Sequence, residues 1–202
     1  DGKLLIEYYD TSYNFKRAMT LDLSLPIFGA FYESNDNYYV LTGQNNPDHN
    51  DSVETYRVTK YSKDWKAQGS CSLFGANTAQ PFAFGTARMM VSGNYLYVRT
   101  CHVMYNGHQA NVTFSVNTYD MSIMDQYYKV EYTPSGYVSH TFTQFLKMDN
   151  GTFLGVDQGD TYPRGINLVK STIDSSTGRF TKNFSTSVIM DFTLGSGTYT
   201  AA

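Results

Sequence analysis

The sequence is short of nearly everything that marks a helical, nucleic-acid-binding or membrane-spanning protein. Lysine and arginine number 15 in 202 residues against 18 aspartates and glutamates, for a formal net charge of -3. Without an excess of base there is nothing to neutralise a phosphate backbone, and nucleic acid is excluded as a partner. No apolar run reaches the roughly 20 residues that a membrane-spanning helix needs. No stretch places apolar residues at i, i+3, i+4 and i+7 between caps, so helices are not expected. A glycine-rich phosphate loop and a Gly-x-Ser-x-Gly elbow are both missing, which leaves nucleotide and serine-hydrolase chemistry without support. Cysteine is scarce, with only Cys71 and Cys101. Two such residues fit either one disulfide or a pair of small buried thiols, and the thiols are the more economical reading. The chain opens on Asp1-Gly2-Lys3-Leu4 without a signal segment, which predicts a mature or excised piece of a longer polypeptide.

Aromatic residues are plentiful: 18 Tyr and 13 Phe stand beside a single Trp. That much apolar bulk with so little net charge excludes disorder. The surplus of Tyr, Thr, Ser, Asn and Gly resembles the composition of secreted surface proteins and predicts an extracellular or cell-wall location. Short β-rich runs bounded by Gly, Asn and Asp recur along the chain, among them Leu4 to Tyr9, Tyr38 to Thr42, Val53 to Tyr61 and Tyr95 to Thr100. In the run Tyr95-Leu96-Tyr97-Val98-Arg99, Leu96 and Val98 face one way and the two Tyr with Arg99 the other, as in a half-buried strand.

A turn signal precedes a strand four times: Asp1-Gly2, Asn35-Asp36-Asn37, Ser92-Gly93-Asn94 and Asn150-Gly151. Asn37 and Asn94 stand 57 residues apart, Asn94 and Asn150 56. After each turn and strand come a polar loop, a further strand and a fourth strand. Four antiparallel strands per unit at this period is the pattern of a β-propeller blade. The predicted fold is therefore an all-β propeller of four-stranded blades, with repeats at about 1–27, 28–83, 84–138 and 139–190. The repeats either close into a four-bladed ring or belong to a larger propeller, and a β-sandwich is the alternative.

In such a wheel the loops joining second to third strands share a face with the connections between blades. Those segments hold all four histidines, His49, His102, His108 and His140, together with Asn45, Asn46, Tyr105, Gln109, Asp157, Asp160 and Arg164. The predicted ligand site comprises His102, Tyr105, His108, Gln109, His140, Asp157, Asp160 and Arg164. Fixed donors and acceptors beside an aromatic platform suit a sugar or another polyhydroxylated ligand. His102, His108 and His140 are also of the right chemistry for a divalent metal, although their spacing matches no metal motif. A catalytic reading would use a histidine as base with Arg164 stabilising an anion. The plainer reading gives the same residues structural work: Asp157-Gln158-Gly159-Asp160 as a turn, Arg164 paired with Asp160, and His140 bonded to a neighbouring blade.

Several stretches carry a resemblance as a set: Gly75-Ala76-Asn77-Thr78 with Pro81-Phe82, Thr100-Cys101-His102 with Met104-Tyr105, Gly107-His108-Gln109-Ala110-Asn111, Gly136 through His140, and Asp157 through Asp160 with Pro163-Arg164. Together they resemble uncharacterised secreted or wall-associated propeller-like proteins of Gram-positive gut bacteria. The resemblance implies a propeller longer than this chain and carries no established activity or catalytic residue. The function expected from all of this is a non-enzymatic extracellular binding or adhesion module for a glycan or other cell-surface ligand, needing no cofactor and prone to self-association. The alternatives are a metal-assisted polysaccharide lyase or hydrolase using the histidine cluster with a divalent metal, and a structural spacer without a ligand.

Overall fold

A computed structural model describes residues 2–83, 87–133, 136–138, 141–159 and 165–192. Every regular element among them is a β-strand. β1 (Lys3–Tyr9) and β2 (Phe15–Asp22) form a two-stranded hairpin. The first sheet is a meander of β3 (Ile27–Glu33), β4 (Asn37–Gly43), β5 (Glu54–Ser62) and β6 (Ala67–Phe74), in that order. The second is built from β7 (Thr78–Pro81), β8 (Arg88–Ser92), β9 (Tyr95–Met104), β10 (Gln109–Asn117) and β11 (Ile123–Tyr127). β7 and β8 pair with successive lengths of β9, so the two short pieces act as one outer strand of a four-stranded meander. A small hairpin of β12 (Glu131–Thr133) and β13 (Gly136–Val138) follows. The third sheet runs β14 (Thr141–Asp149), β15 (Thr152–Gly159) and β16 (Gly165–Asp174), with β17 (Arg179–Phe180) and β18 (Ser185–Asp191) both on β16. All pairings are antiparallel, and the all-β expectation holds.

Turn chemistry explains the repeated hairpins. Asn150 and Gly151 both take positive φ, 46° and 75°, as a two-residue turn between right-twisted strands requires. Gly93 (φ 57°) does the same work between β8 and β9.

The core lies between sheets, and alternation along a strand decides which interface each side chain joins. Leu96 and Val98 of β9, Val112, Phe114 and Val116 of β10 and Met89 of β8 pack against Tyr39, Leu41, Tyr56, Val58 and Leu73 of the first sheet. Their neighbours Met90, Tyr95 and Tyr97 pack the other way, against Phe153 and Phe180 of the third sheet. Each such side chain contributes about 1.5–3 kcal/mol when buried. The sides expected for Tyr95 to Arg99 are observed, but that strand is not half-buried: β9 is covered on both faces because the second sheet is the middle layer.

Candidate functional site

Three connections meet at one end of the first two sheets: residues 44–53 between β4 and β5, 75–77 between β6 and β7, and 105–108 between β9 and β10. Asn46 ties the first of them together. It is buried, its Nδ2 donates to the Asn50 carbonyl (3.0 Å) and to Tyr105 Oη (3.1 Å), and its Oδ1 accepts from the Asn50 N–H (3.0 Å). Tyr105 Oη in turn donates to Asp51 Oδ1 (2.9 Å), and the Tyr105 N–H donates to Asn77 Oδ1 (3.3 Å). One tyrosine, from the third segment, thus bonds to both of the others. Burial and then the Asp51 hydrogen bond raise its pKa, keeping the phenol a neutral donor.

The backbone beneath Tyr105 is strained. Gly75, Ala76 and Asn77 are left-handed in succession, with φ of 59°, 49° and 50°. A Cβ on Gly75 would fall 2.6 Å from Asp51 Oδ1, so only glycine lets the first loop close over this turn. Ala76 has no side-chain hydrogen bond to offset the left-handed penalty of about 1–2 kcal/mol. His49 is left-handed as well (φ 53°), and its exposed ring stacks on Tyr105 with centroids 4.7 Å apart and planes 17° off parallel. His108 lies exposed on the same rim, its N–H donating to Asn106 Oδ1 (3.1 Å), and Gln109 is half-buried at the start of β10.

His102 is not a loop residue. β9 continues to Met104, well past the expected loop start at Cys101, and His102 lies wholly buried opposite Pro81 and Ala110. Its Nδ1 is 2.7 Å from Thr78 Oγ1, whose own hydrogen goes to the Ala76 carbonyl at 3.0 Å. Nδ1 is therefore the donor, and Nε2 carries a lone pair with no hydrogen-bond partner. Burial depresses this imidazole to about 3.

Asp157 also departs from the expected loop. It sits on β15, fully buried, where Arg99 of β9 reaches it across the second interface. Arg99 Nη2 donates to Asp157 Oδ2 (2.5 Å) and Nε to Oδ1 (3.3 Å), while Nη1 donates to Thr113 Oγ1 (2.7 Å). This bidentate fork pins the middle sheet to the third and lies below the rim. Asn167, its neighbour across β15 and β16, is buried with neither amide atom bonded.

The structure therefore gathers Tyr105, His108 and Gln109 at one hairpin tip and joins His49 and Asn46 to them. His102 and Asp157 act from beneath as buried struts. His140, Asp160 and Arg164 lie outside the described residues. Among the described residues no three His, Cys, Asp or Glu side chains stand close enough to hold a metal ion. Neither cysteine is in a disulfide and both are buried; burial pushes the Cys71 thiol up to about 12. The sequence did not single out Arg99, Asp51 or Asn77 as site residues. Only Arg99 left a signal, a cation in a run otherwise patterned for burial.

No family model matches the sequence, and no curated protein does. Among solved structures, the chain is distantly similar to the GH43 protein BlXynB of Bacillus licheniformis. A point mutant of that protein aligns with TM-score 0.34 at 9% identity, and a second structure with TM-score 0.28 at 12% identity. In each case 76% of this chain matches 41% of the other. The chain thus spans about two fifths of the length of those structures.

Proposed function

We propose that the chain is an extracellular binding or adhesion module, part or whole of a propeller-type ring of four-stranded blades, and that its rim takes a polyhydroxylated, carbohydrate-like ligand. The observation that carries this reading is the exposed His49 ring stacked on a Tyr105 that ties its own hairpin tip to two converging segments. A flat aromatic pair with neighbouring polar groups, held on a backbone that stores strain, matches what sugar faces and hydroxyls need. Tyr105, His49, His108 and Gln109 are the contact residues of this reading. His102 and Asp157 position the strands that carry them.

A glycan array followed by titration calorimetry tests it. The wild type is expected to bind at least one glycan class. His49→Ala and His108→Ala should each weaken that binding about tenfold, worth about 1.4 kcal/mol, with unchanged melting. Binding untouched by these variants would discard the rim, and no binding at all would leave the spacer reading. Stoichiometric divalent metal in the purified protein, removable by chelator, would instead support the metal-assisted enzyme.

A further inference from the structure

The rim carries negative charge with no lysine or arginine to balance it. Residues 44–53, 75–77 and 105–108 contain two aspartates, Asp48 and Asp51, and neither kind of cation. Arg57, which follows the first of these segments, is taken up by Glu54 through a fork of 2.6 and 2.7 Å. Asp51 is the acidic group that the fold holds in place. Its backbone lies against Gly75, where a Cβ would come 2.7 Å from the Asp51 Cα. Its Oδ1 accepts from Tyr105 Oη (2.9 Å), which anchors the carboxylate beside the His49–Tyr105 pair. Asp51 is exposed, and its Oδ2 accepts from no described residue. The Tyr105 hydroxyl is itself spent, accepting from Asn46 and donating to Asp51. The aromatic pair therefore offers a ligand its ring faces, and the ready acceptor beside them is Asp51.

An ionised carboxylate only accepts hydrogen bonds. A sugar hydroxyl can donate to it, and a charge-assisted bond of that kind is about twice as strong as a neutral one. A uronate, a sulfate or a sialyl carboxylate has no hydrogen to give and sets a second negative charge against the first. We infer that Asp51 is a ligand contact that decides specificity: the rim takes uncharged sugars, whose hydroxyls donate to Oδ2, and turns away anionic ones. This rests on the rim reading above and adds to it the charge class of the ligand.

Matched pairs of immobilised oligosaccharides test this, each pair sharing one backbone and differing only in an acidic group. The pairs are a uronate against its methyl ester, and a sulfated or sialylated chain against its unmodified form. At about pH 8, where free histidine is neutral, the wild type is expected to bind the neutral member more tightly by about fivefold or more, the size of a like-charge contact at a wet surface. Raising the salt to about 1 M should narrow that gap, because the screening length falls to about 3 Å. Asp51→Asn keeps an oxygen for Tyr105 and removes the charge, so it should weaken the neutral member and bring each pair to within about twofold. Asp48→Lys changes an exposed side chain with no hydrogen bond and covers the case in which Asp51→Asn loosens the loop. It should shift each pair toward the acidic member. Acidic members bound as tightly as their neutral partners by the wild type, or a gap that survives both variants and high salt, overturn the inference and leave the rim reading standing. A wild type that binds no member of any pair discards the rim reading and this inference with it.

Discussion

At the residue scale, the buried charges govern how the layers hold together. Arg99 and Asp157 have no exposed surface, and each satisfies the other. Truncating one partner strands the other charge in a dry interface, so Asp157→Ala is expected to lower unfolding stability by about 3–5 kcal/mol in urea titration. The double change Arg99→Met with Asp157→Leu should recover most of that loss, because two apolar groups of similar size leave no charge behind. A double variant as unstable as the single one would refute this account. The alternation of Tyr95 to Arg99 did place Arg99 with the two Tyr, opposite Leu96 and Val98, but as one side of a half-buried strand and not as a second interface. Its partner was illegible, since Asp157-Gln158-Gly159-Asp160 has the local chemistry of a turn and the pairing spans 58 residues. His102 was misplaced for a related reason: Cys101-His102 reads as the polar start of a loop, whereas cover from β7 lets β9 continue through it.

At the element scale, glycines separate two costs that a substitution can incur. Gly151 is left-handed with open space around its missing Cβ, while Gly178 is left-handed (φ 68°) with the Tyr95 ring 2.4 Å from where a Cβ would sit. That ring is held in place by a hydrogen bond from Tyr95 Oη to the Ser176 carbonyl (2.5 Å). Gly151→Ala is therefore expected to cost only the left-handed penalty of about 1–2 kcal/mol. Gly178→Ala should cost more, because it also displaces Tyr95 from the second interface. Denaturant titrations giving equal losses for the two would show that the contact carries no weight. Turn signals of this kind made the strand after each turn readable, and with it the two that follow, with Asn35-Asp36-Asn37, Ser92-Gly93-Asn94 and Asn150-Gly151 each leading into a central strand. β7 was not readable, since Thr78–Pro81 is short, contains a proline and becomes a strand only by lying along β9. The pairing of β1 with β2 was also missed: Phe15, Met19 and Leu21 share one side of β2, but Arg17 interrupts them and most of the strand is exposed.

At the scale of the whole molecule, the layers are coupled through the middle sheet, and what loosens its joints should show in global stability. His102 lies in the joint between first and second sheets, bonded to the same Thr78 that closes the strained turn under Tyr105. In the unfolded chain a histidine titrates near 6.5, whereas burial holds His102 at about 3 in the folded one. The unfolded state therefore binds the extra proton between those values. The stability present above pH 6.5 is lost as pH falls through this window, by roughly 1.4 kcal/mol for each unit. Carboxylates contribute chiefly nearer pH 4, so the interval from 6.5 to 5 reports on histidine. Urea unfolding of the wild type at a series of pH values should show that slope, and His102→Gln, which keeps a donor for Thr78 and cannot gain a proton, should flatten it whatever its stability at neutral pH. A slope that survives in His102→Gln would place the acid sensitivity elsewhere. If the joint loosens before the whole fold does, ligand binding at the rim should fall over the same interval in the wild type and persist in the variant, because the turn that positions Tyr105 rests on that hydrogen bond.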